Sequence, residues 1–202
     1  MEENLLIEEL INADQKAFSE LVEQYKDKVF NSCLGLLRNP GDAEDITQEV
    51  FVEIFLSIKN FKHQSKLSTW IYRITISKAL DLIRRNKRKK RFALFTSLFG
   101  QEGELVHEPA DFVHPGVQAE NRELSIILFN AIEKLPDSQK ISFTLNKVEG
   151  LNYEEIAEIM NISRSAVESL LFRAKQKLRL LLTDYYYEGS SSEGGNPKKE
   201  NK

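Results

Sequence analysis

The stretch that most constrains this chain is Asn60 to Arg91, NFKHQSKLSTWIYRITISKALDLIRRNKRKKR. It opens as a short polar loop carrying Phe61, Lys62 and His63. Ser68 or Thr69 then offers an N-cap hydroxyl to a helix beginning with Trp70. At 100° per residue, Tyr72, Ile76, Ala79, Leu80 and Ile83 share one side, the expected core face. Trp70, Ile74, Ser77, Asp81, Arg84, Arg85 and Arg88 fall on or near the other, and the segment closes in RRNKRKKR. Positive charge packed this densely repels itself unless a polyanion relieves it, and phosphate is the usual one. Rings beside cations add stacking for unpaired bases, so Phe61, Lys62, His63, Trp70, Arg73, Ser77, Lys78, Arg84, Arg85 and Arg88 form a candidate single-strand platform. The alternative is a solvated helix end whose cations suit the helix dipole.

The rest of the composition is that of an ordinary soluble chain. With 28 Lys and Arg against 31 Asp and Glu the net charge is −3, so any polyanion site depends on charge being segregated. One cysteine, Cys33, excludes an intrachain disulfide and a cysteine-based metal site; within VFNSCLGLL it reads as a small buried hydrophobe. No apolar run reaches the ~20 residues of a membrane span, and MEENLLIEEL is not a signal peptide, so a cytoplasmic location without membrane insertion is expected.

Upstream, Leu5, Leu6, Leu10 and Ile11 make an apolar stripe, and Asp14 caps a second helix from about Gln15 to Leu37. RNPGD breaks it, and Asp42 is expected to cap a third helix. Ile46, Val50, Ile54 and Ile58, flanked by Phe51 and Phe55, give that helix a broad apolar face. Asp42, Asp45, Glu49 and Glu53 form an acidic stripe beside it, with no Lys or Arg between Asp42 and Ser57. Like charges at i,i+4 cost a few tenths of a kcal/mol per pair. The stripe is therefore either a solvated face or a docking surface for a basic partner.

After Arg91 the pattern loses its period, and residues 92–120 read as a linker. His107 and His114 lie there without further metal ligands nearby. From 121 to 182 helical patterning returns, with Pro136 opening one helix and Gly150 closing it. In LNYEEIAEIMNISRSAVESLLFRAKQKLRLLL, Asn152 and Glu155 have capping-box spacing. Ala157, Asn161, Ile162 and Val167 match a helix-turn-helix, in which a small residue permits close crossing and Asn161 takes the left-handed turn. An ordinary helical hairpin is the alternative. The second helix, capped by Ser163, offers Arg164, Ser165, Glu168, Ser169, Phe172, Arg173 and Gln176 on its outer face. Residues 183–202 read as a disordered tail. The expected fold is all-α: two small helical domains, 1–91 and 121–182, joined by a flexible linker, the second a helix-turn-helix domain.

DAEDITQEVFVEIF, STWIYRITISKALDLIRR, and LP…VEGLNYEEIAEIMNIS…AVESLLFRAKQKL, in that order, resemble the extracytoplasmic-function (ECF) group of bacterial sigma factors. The resemblance implies a sigma subunit with no catalytic residues, metal or cofactor of its own. It implies partners too: core RNA polymerase (the β′ clamp helices and the β subunit), promoter DNA and an anti-sigma factor. The acidic helix with Asp42, Asp45, Glu49 and Glu53 would grip the clamp. The 60–88 segment would capture and melt the −10 element, and the 163–178 helix would read the −35 element in the major groove. The chain departs from the family at His63, Leu67 and Ser77, where relatives commonly carry Gly, Phe and Asn, so a −10 base preference does not transfer. Two other function classes fit parts of the sequence: an autonomous helix-turn-helix regulator, and a metal-dependent nuclease built on the acids of 42–53.

Overall fold

A computed structural model describes residues 3–99 and 122–191. They form eight α-helices and one 3-10 turn, with no strand among the described residues. The helices are α1 (Glu3–Ile11), α2 (Gln15–Leu37), α3 (Pro40–Ser57), α4 (Leu67–Phe99), α5 (Arg122–Glu133), α6 (Asp137–Lys147), α7 (Tyr153–Met160) and α8 (Arg164–Ser191).

The helix starts follow local chemistry. Asp14 accepts from Lys16 N and Ala17 N at the head of α2. The third helix begins earlier than expected, because Asn39 rather than Asp42 is its cap: Asn39 Oδ1 accepts from Asp42 N, and Pro40 fills the first turn where no N–H is needed. Asp42 thus lies in the first turn, where its charge still favours the helix dipole. The start of α4 is also unlike the expectation. Leu67 N donates to Glu3 Oε1 at 2.9 Å, so α1 supplies the cap and neither Ser68 nor Thr69 does. A cap 64 residues away in sequence leaves no local signature.

In the first lobe α2, α3 and α4 bury Leu21, Val29, Ile46, Val50, Ile54, Leu67 and Ile71, with α1 closing one side through Leu6, Ile7 and Leu10. Cys33 is fully buried, as its setting suggested, and burial pushes its thiol up to about 12. In the second lobe Asn152 and Glu155 form the expected capping box, Asn161 takes φ 53°, ψ 49°, and Ser163 Oγ accepts from Ala166 N. Ile156, Ile159, Val167 and Leu171 lock α7 to α8.

Two features go beyond what periodicity shows. Tyr72, Ile76 and Ala79 are buried, but not in their own bundle: they join Leu36 to meet Ile141, Leu145, Ile156 and Ile159 of the second lobe. The bundle core of α4 is made instead by Leu67 and Ile71, with Trp70, Ile74 and Leu82 packed on it. Helix α4 therefore carries two apolar faces, and periodicity picked the one shared between lobes. Contact between the lobes is close. A Cβ on Gly35 would lie 2.8 Å from Thr144 Cγ2, so glycine is what lets α2 and α6 approach. Secondly, α4 continues as helix to Phe99 and α8 to Ser191, past the expected ends at 91 and 182. The remaining linker and tail residues, His107 and His114 included, lie outside the described ones.

Candidate functional site

The acidic stripe is a real surface. Asp45 and Glu49 are exposed and Asp42 and Glu53 half-buried, while Ile46, Val50 and Ile54 on the same helix reach the core. Beside the stripe lies one flank of the expected apolar face: Phe55 is 50% exposed, its ring edge-on to Phe18 at 5.3 Å. Val52 and Leu56 are exposed too. Neighbouring exposed apolar groups rimmed by carboxylates are a feature of docking surfaces. The signal for them was present at positions 52, 55 and 56, which recur at three and four residues away from the core stripe. The carboxylates also have an intramolecular cation. Lys78 Nζ of α4 lies 3.3 Å from Glu53 and 3.9 Å from Glu49, so Lys78 faces the ridge rather than the basic helix end.

The loop and head of α4 gather three rings. Phe61 stands 5.2 Å from Trp70 and 5.1 Å from His63, both tilted at about 50°. Phe61 is buried and Trp70 half-buried, whereas Lys62, His63 and Gln64 are exposed. Buried Phe61 acts as the base on which the other two rings rest. His63 holds φ 54°, a left-handed conformation uncommon for a side-chain-bearing residue, and this turns its ring back onto Phe61. Farther along, Ser77, Arg84, Arg85 and Arg88 are exposed; Arg84 pairs with Asp81 at 3.2 Å. Arg73 is exposed yet engaged, its Nη2 donating to the Glu158 carbonyl of α7 at 2.7 Å.

The outer face of α8 is open. Arg164, Ser165, Glu168, Ser169, Phe172, Arg173 and Gln176 are all exposed, and Phe172 is 63% so. Glu168, Ser169, Phe172 and Arg173 adjoin one another on this face. Arg164 Nε is 3.0 Å from Glu154 and 3.5 Å from Glu168, so part of its charge is spent at the turn. Among the described residues no three His, Cys, Asp or Glu side chains converge to hold a metal, and no helix is long and apolar enough to cross a membrane.

Comparison with known proteins identifies the family of the two lobes. Residues 21–89 match the Sigma-70 region 2 family and residues 125–178 the Sigma-70 region 4 family. The ECF RNA polymerase sigma factor SigW of Bacillus subtilis is 35% identical over 182 residues, covering 88% of this chain and 95% of that one. The ECF RNA polymerase sigma-E factor of Escherichia coli K12 is 31% identical over 176 residues, covering 87% and 92%. Among solved structures, CnrH in complex with the cytosolic domain of CnrY superposes with a TM-score of 0.66 at 20% identity, covering 90% of this chain and 97% of that one. The sigma factor RpoE with the anti-sigma factor NepR from Bartonella quintana gives 0.62 at 20% identity, covering 83% and 98%. These last two establish likeness of fold. Region 2 is thus the lobe that carries the acidic ridge and the ringed basic helix, region 4 is the helix-turn-helix lobe, and the chain belongs to the ECF sigma factors of the sigma-70 family.

Proposed function

We propose that this ECF sigma factor grips core RNA polymerase with the α3 ridge, takes the separated −10 strand on the 61–70 rings and the α4 cations, and reads the −35 duplex with the outer face of α8. Directing polymerase to particular promoters is the activity of the family to which the chain belongs. The observation that carries the division of labour is the sorting of exposed groups. Carboxylates with Val52, Phe55 and Leu56 lie on α3, the His63 ring and the arginines lie on the preceding loop and α4, with Trp70 half-buried between them, and an open side-chain row lies on the recognition helix. A clamp helix of positive potential would be steered and registered by the ridge. Stacking stabilises unpaired bases without hydrogen-bond readout, which fits the ring cluster. A helix in the major groove contacts base edges directly, which fits Ser165, Ser169, Phe172, Arg173 and Gln176.

The protein would act in the cytoplasm, where polymerase is, and an anti-sigma factor would restrain it, as in the solved complex of the Bartonella relative. A metal-dependent nuclease is disfavoured, since the α3 acids run along one helix instead of converging. The test is reconstitution with core polymerase on fragmented genomic DNA, with sequencing of transcript 5′ ends. The proposal predicts new, shared upstream boxes; specific duplex binding that needs no polymerase would favour an autonomous regulator instead.

A further inference from the structure

The recognition helix carries one group that works against its task. Glu168 is exposed on the outer row of α8, beside Ser165, Ser169 and Phe172, on a face that must approach an anionic duplex. The cation paired with it is shared: Arg164 Nε stands 3.0 Å from Glu154 Oε1 on α7 and 3.5 Å from Glu168 Oε1. One guanidinium between two carboxylates leaves a surplus negative charge, and phosphate repels it.

Helix stability does not account for the carboxylate. An ion pair with the cation at i and the acid at i+4 is the less favourable order, since the helix dipole opposes it. Glu168 is the fifth residue of α8, past the first turn in which the dipole would favour an acid. Both members of the pair are well exposed, and such pairs add little. Nor does the packing need it: Val167 and Leu171 are the neighbours that hold α8 to α7.

Base edges are what remain. In a helix-turn-helix the N-terminal residues of the second helix reach the bases, while the first helix crosses the backbone. In the major groove guanine presents N7 and O6 and thymine presents O4, all of them acceptors that repel a carboxylate. Adenine offers its N6 amine beside the N7 acceptor, so one carboxylate oxygen gains what the other loses. Cytosine offers its N4 amine beside a C–H, with no acceptor next to it.

We propose that Glu168 is a specificity residue for the upstream box: its carboxylate accepts from the N4 amine of a cytosine and selects that base at one position of one strand. The inference rests on the proposed reading of −35 DNA by α8, and names one base that it reads.

Exchanging the side chain tests it. The full chain and its Glu168→Gln and Glu168→Arg variants would each be reconstituted with core polymerase on a promoter pool whose upstream box is fully randomised. Transcripts would be sequenced together with their templates. The unsubstituted chain should favour cytosine at one position by about tenfold over the other bases. At that same position Glu168→Gln should favour adenine, whose N6 and N7 match the two ends of an amide. Glu168→Arg should favour guanine there, whose O6 and N7 match a guanidinium. Preferences at the other positions should stay, and circular dichroism should not change, because the side chain is exposed. A box whose preferences neither variant alters would overturn the assignment, as would a switching position that does not hold cytosine in the unsubstituted chain. A uniform gain across all sequences with Glu168→Arg would overturn it too, since that marks a residue set against phosphate. Failure of the unsubstituted chain to start transcription from any member of the pool would instead overturn the sigma function itself.

Discussion

The two helices assigned to DNA are presented very differently. On α8 the whole outer row from Ser165 to Gln176 is exposed, and the internal contacts of Arg164 with Glu154 and Glu168 and of Ser165 with Ser163 are local to the turn and the start of the helix. On α4, Tyr72 is buried against Glu149, Arg73 bonds to α7, Lys78 leans on Glu49 and Glu53, and Lys87 pairs with Asp137. The contrast matches two kinds of recognition. Base edges in a duplex are always present, so the reading face can be built rigid and left open. A separated strand exists only once polymerase has begun to melt the promoter, and a ring-bearing cationic face left free beforehand would hold any nucleic acid.

The largest expected effect lies on neither of these helices but on the ridge that brings polymerase to them. Reversing Asp45→Lys and Glu49→Lys together should weaken core polymerase binding about a hundredfold, on the order of 2.7 kcal/mol, because like charge at an interface costs several kcal/mol. Circular dichroism should be unchanged, since both side chains are exposed. Equal affinity by fluorescence titration would remove α3 as the docking surface. Next comes Trp70→Ala. Loss of one stacking partner, about 1–3 kcal/mol, should slow open-complex formation tenfold or more by permanganate footprinting, with polymerase affinity nearly kept. A defect in polymerase affinity alone would place Trp70 outside strand capture.

On the open helix, Phe172→Ala should cost about 1 kcal/mol in promoter binding, roughly fivefold, through lost apolar contact with a thymine methyl. Fold stability should hardly change, because the ring covers no core. A large fall in melting temperature would show that Phe172 packs rather than reads.

The smallest effect concerns Glu149. Burial pushes its carboxyl up, while Ser32, Tyr72 and Lys28 pull the other way to a lesser extent. A carboxyl raised in the folded state contributes fully below its unfolded value, and that stability is lost as pH rises through the folded value. The unsubstituted chain should therefore lose melting temperature between pH 5 and pH 8 relative to Glu149→Gln, whose amide does not titrate. Parallel melting curves over that range would show that Glu149 is not held in the interface.

Much of this architecture was legible in the sequence because its signals are local. The Asn152–Glu155 capping box, the left-handed Asn161, the Asp14 cap and the buried Cys33 each follow from a few neighbouring residues. What was not legible was set by distant parts of the chain. Glu3 caps α4 from 64 residues away, and Gly35 is demanded by Thr144. Tyr72, Ile76 and Ala79 showed a correct apolar period, but period does not say which lobe covers them. Phe51 and Phe55 flank the same apolar stripe of α3, and only packing decides that Phe51 is buried while Phe55 stays half exposed.

The account depends most on regions 2 and 4 reaching two promoter boxes at once. Single-molecule energy transfer between dyes at Asn60→Cys and Lys177→Cys measures it, with both sites exposed and Cys33 buried with its thiol pushed up to about 12. The free chain should show one high-transfer population that shifts to low transfer, toward the roughly 70 Å set by two promoter boxes, when polymerase and promoter are added. Transfer that stays the same in the initiating complex would contradict the account.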